Sequence, residues 1–222
     1  VENVQVLGHH IEPNPGTMKF SDRKDLLFVG NLDHEDSPNT DSILWFVNEV
    51  FPLITASLPE IRLHIVGSAS PDLIRRLNNK NVLLYGQVPE LTHFYNNCRV
   101  FVAPTRFAAG IPYKIHEAAS FGLPVVTTHL LAEQLSWSDH ELLLAAPPTP
   151  EAFSASVTQL YSDESLWHNI RENALNEIRQ NHMKDTYGKV ITEALETGIN
   201  PSAKVEKYWS GIDAEEHYGS DV

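Results

Sequence analysis

The segment RFAAGIPYKIHE, residues 106–117, combines small residues, charged residues and a helix start in a way that could bind an anion. Ala108, Ala109 and Gly110 carry almost no side chain, so a ligand can approach their backbone amides closely. A helix predicted to begin near Tyr113 would add unpaired N–H groups and the positive end of its dipole. A phosphate group is the ligand that such a segment suits best.

Two charged residues on this helix give the hypothesis its detail. Lys114 falls in the first turn, where the helix dipole disfavours a cation, and a bound polyanion would offset that cost. Glu117 follows on the same face, and a carboxylate there could accept hydrogen bonds from two ribose hydroxyls. The alternative is an exposed ion pair between Lys114 and Glu117, with the glycines serving only as turn formers.

The pattern of apolar residues predicts the scaffold that positions this segment. Short apolar runs, several ended by glycine, are typical of strands buried on both faces; they cover residues 25–30, 61–67, 81–86, 100–104, 123–128 and 142–146. Helices are predicted between them, the first with an apolar face from Ile43 to Ile54 and a cap at Asn39 or Thr40. The pattern predicts an α/β fold: a single Rossmann-like domain with a six-stranded parallel sheet and terminal helices near 150–161, 164–180 and 187–195.

In such a sheet, ligands bind outside the carboxyl ends of the strands. Gly30 and Asn31 follow the first predicted strand, Gly67 follows the second, and residues 104–112 follow the fourth. We therefore expect these loops to meet at one edge of the sheet and to form the binding site.

The composition excludes some classes of partner. The chain has 222 residues with a net charge of -13, which repels nucleic acid and anionic membranes. Its apolar runs are all shorter than the roughly 18 residues of a membrane-spanning segment. The single cysteine, Cys98, lies in a periodic apolar segment and is predicted to be a buried free thiol in a reducing compartment, so we expect a cytoplasmic protein.

The segment GIPYKIHEAASFGLPVVTT resembles the signature of the retaining, nucleotide-sugar-dependent glycosyltransferases of family 4 and their GT-B relatives. The resemblance extends in order through FVGNL, RLHIVGS and VLLYGQVPEL, and it covers residues 25–195. It implies the carboxy-terminal, donor-binding half of a GT-B fold. The expected organisation is a leading segment or interdomain linker over 1–24, the Rossmann-like domain over 25–197, and an acidic tail over 198–222.

The resemblance also implies roles for individual residues. Glu117 would bind the ribose of a nucleotide diphosphate sugar, and Gln87 and Val88 would lie near its base. The diphosphate and the donor sugar would be held by the loops after the first, second and fourth strands and by nearby cations: Gly30, Asn31, Gly67, Arg106, Ala109, Gly110, Ile111, Pro112 and Lys114. The acceptor glycan would bind mainly through an amino-terminal half that this chain does not resemble. The chain begins at Val1 without an initiator methionine, and we expect it to be part of a longer protein.

This sequence departs from the family pattern at three places. Ala109 stands eight residues before Glu117, where the family usually has a second glutamate; Asn31 stands at the position of an arginine; and no lysine precedes the first helix. The donor base and sugar therefore stay open. So do two other functions: a non-catalytic interaction or regulatory module, and a GT-B epimerase or phosphorylase.

No metal cofactor is expected. The acidic run Asp33 to Asp36 superficially resembles an Asp-x-Asp metal motif. It falls in the loop after the first strand, however, where GT-B enzymes usually hold the diphosphate with a helix dipole and side chains. We interpret it as a solvated acidic loop.

Overall fold

In the computed structural model, which describes residues 10–107, 112–185, 188–189 and 191–192, six strands form one parallel sheet. The strands are β1 (Leu26–Val29), β2 (Leu63–Val66), β3 (Val82–Leu84), β4 (Val100–Ala103), β5 (Val125–Thr128) and β6 (Leu144–Ala146). Their order is β3-β2-β1-β4-β5-β6. The predicted Rossmann-like α/β fold is confirmed. Because β1 lies beside β4, the winding direction changes there, and a crevice opens at the carboxyl ends of these two strands.

Helices connect the strands in the predicted alternation. They are α1 (Pro38–Trp45), a π-helical turn (Phe46–Val50), α2 (Phe51–Ser57), α3 (Pro71–Arg76), α4 (Thr92–Asn97), α5 (Tyr113–Ser120), α6 (His129–Leu135), α7 (Pro150–Ser162) and α8 (Glu164–Asn181). A short 3-10 turn (Phe20–Asp22) precedes β1. The predicted last helix, 187–195, lies mostly outside the described residues, as does the whole acidic tail.

Helix α1 begins earlier in the chain than the sequence pattern predicts. Ser37, and not Asn39 or Thr40, is its cap, because the Ser37 hydroxyl accepts a hydrogen bond from the Thr40 amide. Pro38 then occupies the first helical position, where its missing N–H costs nothing. Asn39 is thereby left in the first turn, with its side chain available for other contacts.

Alternate residues of each strand point to opposite faces and build two apolar layers. Leu26 and Phe28 belong to the layer beneath α1, α2, α3 and α7, whereas Leu27 belongs to the layer beneath α4, α5 and α6. Helix α8 contributes to both layers. The apolar face predicted from Ile43 to Ile54 is buried throughout.

Cys98 is confirmed as a buried free thiol, and burial raises its pKa to about 12. Among the described residues, none of the helices combines the length and the apolar character that a membrane span would need.

Candidate functional site

The loops after β1, β2 and β3 are joined by backbone hydrogen bonds at the carboxyl edge of the sheet. The Gly30 amide donates to the Val66 carbonyl at 3.0 Å, and the Gly67 amide donates to the Gly86 carbonyl at 2.9 Å. Gly67 has a φ of 141°, and a Cβ on it would overlap the Gly30 carbonyl oxygen. Only glycine therefore allows the first two loops to approach this closely. The edge formed by Gly30 and Gly67 is one wall of the crevice.

Asn39 fills the space beside Gly30. A Cβ on Gly30 would lie 3.0 Å from the Asn39 side-chain carbon and 3.1 Å from the Phe28 ring. The Asn39 amide nitrogen donates to the Asn31 carbonyl at 3.3 Å. The first turn of α1 is thus tied directly to the loop after β1, and Asn31 is held at the mouth of the crevice.

Lys114 reaches this same point from helix α5. Its Nζ donates to the Asn39 Oδ1 at 2.7 Å and lies 5.0 Å from the centroid of the Phe28 ring. Burial lowers the pKa of Lys114 to about 8. The side chain is half-buried, and within the described part of the chain its hydrogen bond goes to a neutral amide and not to a carboxylate. The site therefore holds a positive charge that no neighbouring described carboxylate balances.

Glu117 is held by a different partner. The Tyr95 hydroxyl donates to the Glu117 Oε2 at 2.9 Å, and the Tyr95 ring stacks on Phe121 with centroids 4.8 Å apart. Tyr95 is fully buried, and burial together with the Glu117 charge raises its pKa above the usual range. The phenol therefore stays protonated and fixes one oxygen of the carboxylate. The alternative of an ion pair between Lys114 and Glu117 is wrong, since each side chain bonds a residue from a different element.

The amino-terminal turn of α5 begins at Pro112, which provides no side-chain acceptor for the first amides of the helix. The positive end of a helix dipole, next to a lysine that no described carboxylate balances, is a favourable environment for a phosphate. Ala109, Gly110 and Ile111, which the sequence placed at this site, lie outside the described residues.

Arg106 lies on the far side of α1 from Lys114. Its Nε donates to the Asp41 Oδ2 at 3.0 Å, and its guanidinium lies 5.4 Å from the centroid of the Trp45 ring. Hydrogen bonding to Asp41 raises the pKa of Arg106. The charge of Arg106 is thus compensated, so Lys114 is the better candidate for binding an anion.

The two residues expected near a base lie after β3. Gln87 is exposed, and Val88 is half-buried and packs against the apolar layer that contains Tyr95. Gly86, which precedes them, has a φ of 67°, a conformation that favours glycine. Within the described residues, no group of three histidine, cysteine, aspartate or glutamate side chains is arranged to hold a metal ion.

Sequence reasoning missed Asn39 and Tyr95 as members of the site. Asn39 is predicted only as one of two possible helix caps, and no role is predicted for Tyr95. Both touch residues that are far away in the sequence, and the strand order brings them together. The Ser37–Pro38 pair was the one local signal that could have excluded Asn39 as the cap.

A comparison with protein families gives one match: residues 23–163 match the model described as Glycosyl transferases group 1. Two curated relatives are similar. An uncharacterised 44.6 kDa protein of the cps region of Klebsiella pneumoniae is 25% identical over 178 residues, which are 76% of this chain and 45% of that protein. The capsular polysaccharide biosynthesis glycosyltransferase CapM of Staphylococcus aureus is 26% identical over 162 residues, which are 69% of this chain and 41% of that protein.

Solved structures share the fold. A mutant of TarM from S. aureus, crystallised with fondaparinux, alpha-GlcNAc-glycerol and UDP, superposes with a TM-score of 0.71 at 16% identity. The superposition covers 87% of this chain and 40% of TarM. The chain therefore spans less than half the length of each of these three proteins.

Proposed function

The chain belongs to the group 1 glycosyl transferases, and from this membership we propose that it is the donor-binding half of a glycosyltransferase. It binds a nucleotide diphosphate sugar, and the sugar is transferred with retention of configuration to an acceptor glycan. An amino-terminal half of the same protein contributes to the acceptor site. Two similar proteins support this proposal. CapM is named as a glycosyltransferase, and the TarM mutant was crystallised with UDP.

The observation that carries the proposal is the unbalanced charge of Lys114. A lysine whose pKa has fallen to about 8 is costly for the folded protein, because burial disfavours the charged form. A diphosphate in the crevice would supply the missing negative charge. It would accept a hydrogen bond from Lys114 and would lie near the positive end of the α5 dipole, with no metal ion required.

Glu117 would orient the nucleoside. The Tyr95 hydrogen bond occupies one carboxylate oxygen, which leaves the other oxygen to accept hydrogen bonds from the ribose hydroxyls. Lys114 and Glu117 lie on one face of α5, one turn apart. A single helix can thus hold the diphosphate and the ribose at a fixed separation.

The chemistry that follows is stabilisation of a leaving group. When the bond between the sugar and the diphosphate breaks, negative charge increases on the diphosphate. Lys114 and the positive end of the α5 dipole would interact more strongly with that greater charge, so they would stabilise the transition state more than the ground state.

Isothermal calorimetry tests the proposal with UDP, GDP, ADP and their common sugar conjugates at millimolar concentration. We expect one nucleotide series to bind, and we expect Glu117→Gln and Lys114→Met each to weaken that binding at least about tenfold. Lys24→Met and Glu172→Gln, which change exposed residues away from the crevice, are matched controls and should leave it unchanged. Absence of binding by every nucleotide, or equal effects of site and control variants, would overturn the proposal.

One observation favours a second candidate, a non-catalytic module that keeps the fold. Ala109 stands where the family usually has a glutamate. A full-length protein that consumes no sugar nucleotide while it still binds a partner protein would support this candidate. Turnover of a sugar nucleotide without any acceptor would instead indicate an epimerase, and a requirement for inorganic phosphate would indicate a phosphorylase.

A further inference from the structure

A second cavity, of about 640 Å³, opens on the outer side of α1. Its walls come from three parts of the chain: the acidic loop after β1, the helical stretch from Asp41 to Glu49, and Arg106 with Phe107 after β4. Its volume lies within the range of small-molecule sites. Lys114 does not line the cavity, but the cavity adjoins the crevice, because its walls include residues that follow β1 and β4, the two strands between which the crevice opens.

Aromatic and apolar side chains form one side of the cavity. Trp45 is only 4% exposed and is fixed by edge-to-face contact with Phe153 and by the Arg106 guanidinium above its ring. Phe107 is 49% exposed, which is unusual for so large an apolar side chain. The C–H face of a sugar ring can pack against an exposed aromatic ring such as that of Phe107, whereas Trp45 supports Arg106 from beneath.

Polar groups form the other side, and the π-helical turn positions two of them. Asn48 and Glu49 belong to this turn, and both are exposed to the cavity that they line. Pro52 lies four residues after Asn48 and has no N–H to donate to the Asn48 carbonyl in an α-helix. Such π-helical turns occur frequently at functional sites.

The charges of the lining residues discriminate between kinds of ligand. Four carboxylates and two arginines line the cavity: Glu35, Asp36, Asp41, Glu49, Arg76 and Arg106. Arg106 is already paired with Asp41. Carboxylates accept hydrogen bonds from hydroxyl and amino groups, whereas they repel carboxylate and phosphate groups.

We propose that this cavity binds the acceptor of the transfer reaction, and that the acceptor is a saccharide without carboxylate or phosphate groups at the bound position. This inference rests on the proposed function, because it assigns the second substrate of the same reaction. The acceptor then lies on the same domain as the donor, next to Arg106 and Phe107 after β4, and not wholly on an amino-terminal half.

Nuclear magnetic resonance with saturation transfer tests the cavity directly. The probes are neutral trisaccharides of glucose, galactose, mannose and N-acetylglucosamine, the amine-bearing trimer of glucosamine, and the anionic trimer of galacturonate. We expect at least one uncharged or amine-bearing trimer to bind at millimolar concentration and the galacturonate trimer to bind at least tenfold more weakly. Phe107→Ala should reduce the binding at least fivefold.

Matched control variants distinguish a loss of binding at the cavity from the general effect of the same kind of substitution elsewhere on the surface. Leu53→Ala removes another exposed apolar side chain, 41% exposed, that does not line the cavity, and should leave binding unchanged. Glu49→Lys should shift preference toward the galacturonate trimer, whereas Glu151→Lys, an exposed acid on α7, should not.

Calorimetric binding of UDP, GDP and ADP to the unsubstituted protein distinguishes two failures. If one of these nucleotides binds and no trisaccharide does, or if Phe107→Ala and Leu53→Ala behave alike, the acceptor cavity is wrong while the donor site stands. If trisaccharides bind as expected and no nucleotide does, the cavity is a saccharide site but the proposed function is wrong.

Discussion

Lys114 combines a positive charge with a half-buried position, and these two properties have opposite effects on stability and binding. Its folded pKa of about 8 lies below the ordinary value of 10.5, so the protonated form is less favourable in the folded chain than in the unfolded chain. This cost is present in full below pH 8 and disappears as the pH rises from 8 toward 10.5.

The Lys114→Met variant should therefore be more stable and bind less well. At pH 7 we expect the free energy of unfolding to increase by up to about 3 kcal/mol, since one pKa unit corresponds to about 1.4 kcal/mol. Urea denaturation at pH 7 and at pH 10.5 measures this, and the gain should shrink at the higher pH. Lys24→Met is the control. A Lys114→Met protein that is less stable than the parent at pH 7 would contradict the assignment.

Tyr95 acts on a ligand only through Glu117, and it is therefore a positioning residue. Tyr95→Phe removes the hydroxyl that holds the carboxylate but keeps the ring that stacks on Phe121. We expect the nucleoside diphosphate that binds the unsubstituted protein in calorimetry to bind this variant about three- to tenfold more weakly, because one hydrogen bond is worth about 1 kcal/mol.

The discrimination between this nucleoside diphosphate and its 2′-deoxy form separates positioning from general damage. This ratio of affinities should fall in Tyr95→Phe, because a mobile Glu117 carboxylate binds the ribose 2′-hydroxyl less well. It should fall further in Glu117→Gln. If Tyr95→Phe weakens both ligands equally, its role is structural and the link to the ribose is wrong.

At the scale of elements, an added methyl group should affect stability very differently at the glycine after β2 and at the glycine after β3. Gly67 has a positive φ and faces the Gly30 carbonyl, so Gly67→Ala adds backbone strain to a steric overlap. Gly86 also has a positive φ, but a Cβ there would meet no atom within 4 Å. We expect Gly67→Ala to lower the free energy of unfolding by about 3 kcal/mol or more, and Gly86→Ala by about 1 kcal/mol.

Thermal or urea denaturation of the two alanine variants provides the test. The comparison is internal, because both variants carry the same chemical change at a left-handed position. Similar losses in the two proteins would show that the loops after β1 and β2 can separate without cost, and the crevice wall would then not be rigid.

The elements were predictable from the sequence because their signals are local. A buried parallel strand such as Leu26–Val29 is a continuous apolar run, and the helical face from Ile43 to Ile54 follows a simple period. The start of α1 is an exception. Proline is favoured at the first position of a helix, so Pro38 makes Ser37 the cap and excludes Asn39 and Thr40.

The contacts of the site were not predictable in the same way. Lys114 meets Asn39, which is 75 residues away, and Tyr95 meets Glu117, which is 22 residues away. The contact between Lys114 and Asn39 depends on β1 lying beside β4, and apolar periodicity carries no information on strand order. The sequence thus located the loops of the site, whereas the pairing of its side chains required the fold.

Over the whole molecule, the segment before β1 and helix α8 are fastened to the sheet by buried arginines. Arg23 is fully buried, donates to the Tyr95 carbonyl at 2.7 Å, and lies over the Trp167 ring. Burial lowers its pKa to about 10. The predicted domain boundary at residue 25 stays a prediction, although Arg23 shows that residues before it contact the core.

Arg171 contacts distant parts of the chain, so its substitution tests how strongly the segment before β1 and helix α8 are held to the rest of the domain. It donates to the carbonyls of Gly122 and Gly16 and lies 5.4 Å from the centroid of the Trp167 ring. Arg171→Met keeps much of the packing but leaves both carbonyls without that donor. We expect the free energy of unfolding to fall by about 2–4 kcal/mol, measured by urea denaturation. Arg179→Met, which changes an exposed arginine on the same helix, should cost less than about 0.5 kcal/mol.

Hydrogen exchange determines whether the loss arises where the structure indicates. The Asn14 amide donates to the Ser120 carbonyl at 2.8 Å, so its exchange reports the docking of the leading segment onto α5. In Arg171→Met this amide should exchange faster than the amides of β1, because the segment can separate before the sheet unfolds. Equal acceleration at Asn14 and in β1 would mean that Arg171 stabilises the domain as one cooperative unit. The leading segment would then be as much a part of the core as the sheet itself.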